Sequence, residues 1–238
     1  MTKKIISFSL YKAPESWETS MSTNHLKYLN GLKEILKTID DFFSGWTVYI
    51  YHDGNFKFED IDIQSIKKNS VEFKLVNDKN LNAMQWRFLP IDETDVELFI
   101  SRDLDSRFSD REIQSINEWI ESDKIIHIMR DHPHHHYEIL GGMWGMKKVN
   151  EFNMCDSILE YNLKNEYILE KDWFEKWWDM NFLRDIIYKN FHLNSYVNAE
   201  YHTLESWSKP FTLERKNNNF IGEIYSENNQ RTDHYKLL

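Results

Sequence analysis

Cysteine occurs once, at position 155, so no disulfide can close within the chain, which fits a reducing compartment. Proline (four) and glycine (seven) are both scarce, and no Pro-, Gly- or Ser-rich stretch marks a linker or a domain boundary. No apolar run reaches the roughly 18 residues that a membrane helix needs. The opening MTKKIISFSLYKAPE carries a short apolar run of strand length, without the core and small-residue cleavage site of a secretory signal. Together these absences lead us to expect a cytoplasmic protein without a membrane span. Positive charge is also in deficit: 29 Lys and Arg face 39 Asp and Glu, a net charge of -10. A nucleic-acid groove needs clustered basic residues, so nucleic acid is not expected as a partner. A phosphorylated small molecule remains possible if a metal and a few arginines sit locally.

What is present is core material. Hydrophobic residues make up 41% of the chain and aromatics 15%, with nine Trp. A chain of 238 residues can bury roughly 70–75% of its unfolded surface as one domain. Apolar β-type runs stand at Lys4–Leu10, Trp46–His52, Val71–Val76, Val96–Ile100 and Ile125–Met129. Between them, helical spacing appears at His25–Phe43, and helices are predicted at Ile61–Lys68, Leu81–Phe88 and from Ser109 onward. Ser109 and Glu112 form an S-x-x-E capping box there. Strand and helix alternating at this spacing predict an α/β fold with a mostly parallel sheet in a single domain over 1–238. After Met129 the pattern predicts a loop, a Gly-rich bend, two helices (the second near 172–191), and weak strands at Ser195–Tyr201 and Phe220–Tyr225.

In such sheets ligands collect beyond the carboxyl ends of the strands. The segment FISRDLDSRFSDRE places Asp103 and Asp105 where the fourth strand runs out, with arginines at 102, 107 and 111. In an extended segment positions 103 and 105 point to the same side. Two hard oxygen ligands aimed together suit Mg²⁺ or Mn²⁺, which take further oxygens from substrate phosphates. A charged surface turn is the alternative reading of the same residues.

Four motifs then fall in order: RDLDSR with its RE helix, RDHP at Arg130–Pro133, and GGMWG at Gly141–Gly145. With ISFSLY and GWTVYIYHD upstream, they resemble a family of small glycosyltransferase-like proteins of bacterial and large-virus glycan clusters. The resemblance spans most of residues 4–191 and is most specific over 86–147. It implies a GT-A-like, Rossmann-type fold, with a nucleotide-binding part near 1–110 and an acceptor part near 111–238. It also implies sugar transfer from a nucleotide-sugar donor (a UDP- or GDP-sugar) to a glycan acceptor. Asp103 and Asp105 would bind the metal and the diphosphate. Such a metal commonly takes a third ligand, a His from the C-terminal part; His202 is the candidate and His234 the second. Where that family reads D-Q-x-F-L, this chain has DMNFL from Asp179 to Leu183, so the amide is replaced by Met180.

Further candidates follow from topology. Asp131, at the end of the fifth strand, and Asp179, which the resemblance implies through DMNFL, are the catalytic candidates near the reacting carbon or the acceptor hydroxyl, with Arg130, Asp131 and His132 lining the mouth. Arg102, Arg107 or Lys147 would add positive charge for phosphate. Arg87 would hold phosphate or orient Asp103. Ser7, Ser9, Tyr11 and Asp53 would meet the nucleotide at the ends of the first two strands. Trp144 reads as a sugar platform or a core residue. The four histidines of RDHPHHHYE lack Cys neighbours and helical H-x-x-x-H spacing, which argues against zinc. A sugar nucleotidyltransferase and a catalytically inactive glycan-binding relative are the rival readings. The first lacks a Gly-rich phosphate loop after the first strand; the altered DMNFL is the only hint of the second.

Overall fold

The computed structural model of the protein describes residues 2–12, 25–57, 61, 66, 68–165 and 177–238. Seven strands run through them: β1 (Lys3–Leu10), β2 (Thr47–His52), β3 (Ser70–Leu75), β4 (Val96–Arg102), β5 (Ile126–Arg130), β6 (Met143–Lys147) and β7 (Ser195–Ala199). They form one sheet in the order β3-β2-β1-β4-β6-β5-β7. β1 pairs in parallel with β2 and β4, and β2 with β3. β6 runs antiparallel to both its neighbours, and β7 is parallel to β5. The result is a single-domain, mostly parallel mixed sheet of Rossmann type, the fold class that the alternation of strands and helices predicts.

Strands covered on both faces read as continuous apolar runs, and all six residues of β2 are buried. Successive side chains feed opposite layers. Ile6, Val48, Ile50 and Ile100 pack with α1 (His25–Phe42) and α2 (Asp110–Glu121) through Leu32, Ile35, Ile39, Ile116 and Trp119. Ile5, Tyr49, Phe99 and Trp144 pack on the other face against α3 (Met154–Lys164) and α4 (Trp178–Phe182). From Leu183 to Tyr188 the chain continues α4 as a π-helical turn, and Lys189–Phe191 closes it.

Three elements differ from the sequence reading. The segment near 81–88 is a 3-10 helix, Ala83–Asp92, begun by the Asn82 side chain accepting from the Met84 amide. Pro90 lies inside it and supplies no backbone donor. GGMWGMK is no bend: its second half is β6, inserted between β4 and β5. Gly145 faces Ile100 across the ladder, and a Cβ there would sit 2.7 Å from the Phe99 carbonyl oxygen, so only glycine lets the two strands close. Trp144 is fully buried, its ring centroid 5.2 Å from both Phe88 and Phe99, so it is a core residue and no sugar platform. Of the expected strand at 220–225, one bridge forms, between Tyr225 and Arg231. The expected helix at 61–68, and 172–176 of the helix at 172–191, lie largely outside the described residues.

Candidate active site

β4 ends on Arg102, and the chain turns immediately, the Ser106 amide donating to the Asp103 carbonyl. Asp103 thus stands at the carboxyl edge of the sheet beside the ends of β1 and β6. The Arg87 guanidinium donates to Asp103 Oδ1, and its second terminal nitrogen lies 2.9 Å from Asp179 Oδ2 at the start of α4. One cation therefore ties two carboxylates 76 positions apart. The 3-10 helix delivers it: the Arg87 amide is anchored on Ser9 Oγ (3.2 Å) at the end of β1. Asp105 has a different partner, Lys27 Nζ at 2.7 Å, from the first turn of α1.

Glycine makes this closeness possible. A Cβ on Gly141 would collide with Asp179 Oδ2 and Arg87, and one on Gly142 with the Asp103 carboxylate. Ser101 Oγ donates to the Gly141 carbonyl (2.6 Å) and Arg102 to the Gly142 carbonyl (2.7 Å), fixing the two glycines as the floor. Arg102 itself turns inward, 1% exposed. It reaches Ser106 Oγ (3.0 Å) and forms an ion pair with Glu112 Oε1 (2.8 Å). It braces the acidic loop from behind, so its expected place on the donor phosphates is corrected.

The three carboxylates differ electrostatically. Burial pushes Asp103 up, but Arg87 outweighs it and holds the carboxyl below its ordinary value. Its side chain remains 45% exposed. Burial pushes Asp105 up, Lys27 opposes, and the Asp103 charge leaves the net shift upward. Asp179 is also raised, first by burial and then by Asp103, against the pull of Arg87. Burial raises the Tyr11 and Tyr28 phenols, and both feel the charges of Asp103 and Asp105. Tyr11 packs edge-on against Trp86. Asp53, at the end of β2, accepts from the Lys12 and Asn55 amides (2.8 and 2.9 Å); burial raises it and these amides win, holding it low. Ser7, within β1, is fully buried.

Other expected residues are placed elsewhere. Asp131 is 0% exposed. It accepts from Arg111 Nε (3.1 Å) and a terminal nitrogen (2.9 Å), from Arg215 (2.6 Å) and from the Ile221 amide (2.9 Å). A carboxylate so saturated has no lone pair to offer a substrate, which removes it from the catalytic candidates. Arg130 is likewise buried on Glu205 (2.6 and 2.8 Å) and three carbonyls. Because β6 is antiparallel, Lys147 falls at the far end of the ladder, opposite Leu98. There it donates to the Trp119, Ile120 and Ser122 carbonyls and caps α2 instead of approaching phosphate. Arg107 lies over the Tyr225 ring and on Asn229. His202 Nε2 is 2.6 Å from the Pro133 carbonyl and therefore packs against the RDHP loop, away from the acidic pair. His132 stacks on Phe220 (4.4 Å) and bonds the His234 carbonyl, a packing role.

Among the described residues no three His, Cys, Asp or Glu side chains gather to hold a metal. The chain turns at Leu104–Asp105, so the extended, same-side geometry expected for positions 103 and 105 does not hold, and Asp103 meets Arg87 while Asp105 meets Lys27. A hard ion there would take these two carboxylates and complete its shell with water and phosphate. A His-containing site is not what these residues form.

Sequence reasoning missed Lys27 and the Arg102–Glu112 pair. The signal for Lys27 was Gly31, one turn along α1. A lone glycine inside a helix costs about 1 kcal/mol against alanine, and here a Cβ would collide with the Leu104 carbonyl. The helix face bearing positions 27 and 31 is thereby pressed onto the acidic loop.

Two open depressions among the described residues lie apart from this cluster. One of about 340 Å³ is lined by Tyr196, Trp207, Lys124 and Lys209 at the β7 edge. Another, of about 400 Å³, lies between α1 and α2 at Phe42, Ile113 and Leu213. Among the described residues no helix is long and apolar enough to cross a membrane. No protein-family model and no curated protein matches the chain. Among solved structures it is similar to a 4-diphosphocytidyl-2C-methyl-D-erythritol synthase from Anaerococcus prevotii. That match has 10% identity and a TM-score of 0.42, over 90% of this chain and 92% of the other.

Proposed function

We propose that the chain is a glycosyltransferase of GT-A type that takes a sugar from a nucleotide-sugar donor to a glycan acceptor. The observation that carries this reading is the meeting of Asp103, Asp105, Arg87 and Asp179 at the carboxyl edge of a Rossmann-type sheet, where such folds bind nucleotides. Asp103 and Asp105 would hold Mn²⁺ or Mg²⁺; when bound, the ion offsets the charge that gathers on the departing diphosphate. Ser9 and Arg87 position the loop, and Tyr11 and Asp53 border the nucleoside end. Asp179, raised above its ordinary value by burial, is the group to receive the acceptor's proton. Its bond to Arg87 keeps it oriented beside Asp103.

A thermal-shift screen of nucleotide sugars with and without Mn²⁺ tests the reading. A ligand selective for the folded state raises the melting temperature by mass action. A shift with one nucleotide sugar, deepened by Mn²⁺, supports it; no shift with any of them ends it. The rivals separate on turnover: a nucleotidyltransferase releases pyrophosphate from a nucleoside triphosphate and a sugar phosphate, and an inactive relative binds glycan without consuming donor.

A further inference from the structure

The transferase reading gives Lys27 no task, yet the structure spends effort to place it. It is 6% exposed, although lysine is among the residues least often buried without a partner. Gly31 seats α1 against the Leu104 carbonyl, and Asn30 ties the same turn to the Glu227 carbonyl at 3.0 Å. The ammonium ends on Asp105 Oδ2 at 2.7 Å, so a divalent ion drawn to this carboxylate would meet a cation already on it. Asp103 differs: its Oδ1 is held by Arg87, whose other arm is committed to Asp179, and it stays half-exposed. A divalent ion would thus meet two carboxylates that each carry a cation, Asp103 half-exposed beside a fixed arginine and Asp105 largely buried beside a flexible lysine.

We propose that Lys27 is a resident counter-ion that competes with the divalent ion for Asp105. The ion then binds well only together with the donor diphosphate, whose negative charge accommodates both cations. Lysine suits the part because a compact ammonium on a flexible stem can turn from carboxylate to phosphate, whereas the forked Arg87 cannot without losing two partners. The inference rests on the transferase reading for its ligand class. The device would keep the free protein from holding metal idle and make metal and donor loading cooperative.

The test uses the full chain with Mn²⁺ alone, by isothermal titration and by the electron spin resonance of unbound Mn²⁺, before and after adding UDP or GDP. Lys27→Met should bind Mn²⁺ at least about tenfold more tightly than wild type, since a unit charge a few ångströms away is removed. Nucleoside diphosphate should tighten Mn²⁺ binding more in wild type than in K27M. Lys27→Gln keeps a hydrogen-bond donor without the charge, and should gain Mn²⁺ affinity in the same direction if K27M does not fold. Equal Mn²⁺ affinity in wild type and both variants overturns the proposal, as does no binding in any of them. If Mn²⁺ never binds but a nucleotide sugar still raises the melting temperature, this inference falls and the transferase reading stands. If the variants gain Mn²⁺ affinity and no nucleotide sugar binds, the reverse holds.

Discussion

Arg-Asp stands at the end of β4 and again at the end of β5, and the two dipeptides are built to opposite purposes. In both, the arginine turns inward onto a buried glutamate, Arg102 onto Glu112 and Arg130 onto Glu205. The aspartates part company. Asp131 is sealed by two arginines and a backbone amide, whereas Asp103 keeps one arginine and an open side. The glutamates differ as well. Glu205 accepts from Arg130 and from the Tyr188 hydroxyl (2.8 Å), which outweigh burial and hold it low. Glu112 has its ion pair but no hydrogen bond to either oxygen, and burial pushes it up to about 7. The β5 end is therefore satisfied scaffold that pins the C-terminal segment. The β4 end is a loop with unspent polar capacity. At a strand end, saturation separates a structural carboxylate from one free to bind a ligand.

The largest effect should come from breaking the satisfied side. Arg130→Met strands Glu205 in the interior, and removing one partner of a buried pair costs about 3–5 kcal/mol. Urea unfolding should show that loss. A cost under about 1 kcal/mol, the range of exposed pairs, would erase the contrast between the two ends.

Next comes the strained partner behind the acidic loop. Glu112 has an ordinary value of 4.5 and sits near 7 when folded, so between these pH values the folded chain binds more protons than the unfolded one. Its contribution to stability therefore falls as pH rises across that window, by up to about 3 kcal/mol. Buried His127 and His135 work the other way. Burial depresses them to about 4 and about 3, so their contribution is complete above 6.5 and lost as pH falls below it. The wild-type profile mixes these slopes. Subtracting the profile of Glu112→Gln isolates the first: the variant should gain on wild type from pH 4.5 to 7 and then run parallel. A flat difference would mean that the Arg102 pair already holds Glu112 ionised.

A third change acts on the floor of the open end. Gly142→Ala drives a methyl into the Asp103 carboxylate and against its amide, at 3.0 Å from that nitrogen. Overpacking of this kind costs typically about 1–3 kcal/mol. Any thermal shift caused by nucleotide sugar should vanish with it. Retention of the shift would place donor binding away from Asp103.

How much of this was legible in the sequence follows the physics of each element. β1, β2 and β4 announce themselves because buried parallel strands are runs of apolar residues, and α2 because Ser109 caps it at the Glu112 amide. Position at a strand end is enough to find Asp103 and to set Arg87 beside it, whereas Asp179 is legible only through the family resemblance and its bond to Arg87 only in the structure. β6 was hidden because glycines usually punctuate, and here they permit close pairing. Reading β6 as a bend puts Lys147 at the wrong end of the sheet and leaves Trp144 open between sugar platform and core, which its full burial decides for the core. Arg130 and Asp131 looked like site residues because topology places them at a strand end. What seals them, Arg111, Arg215, Glu200 and Glu205, arrives from distant segments that no local pattern ties together.

The smallest effect on stability should accompany the most informative change, Asp103→Asn. The carboxylate is half-exposed while Arg87 is buried, so the pair lies between exposed bridges, worth about 0–1 kcal/mol, and fully buried ones, whose loss costs about 3–5 kcal/mol. Arg87 keeps Asp179 and loses little. The substitution retains shape and hydrogen-bonding size while removing the charge that a divalent ion or its diphosphate would need. Urea midpoints should move little, whereas stabilisation by Mn²⁺ and nucleotide sugar should disappear. The matching change at β5, Asp131→Asn, should do the reverse, because Arg111 and Arg215 are left facing each other in the interior without their common anion. If Asp103→Asn unfolds the protein and Asp131→Asn does not, openness at the end of β4 is a packing accident and carries no binding role.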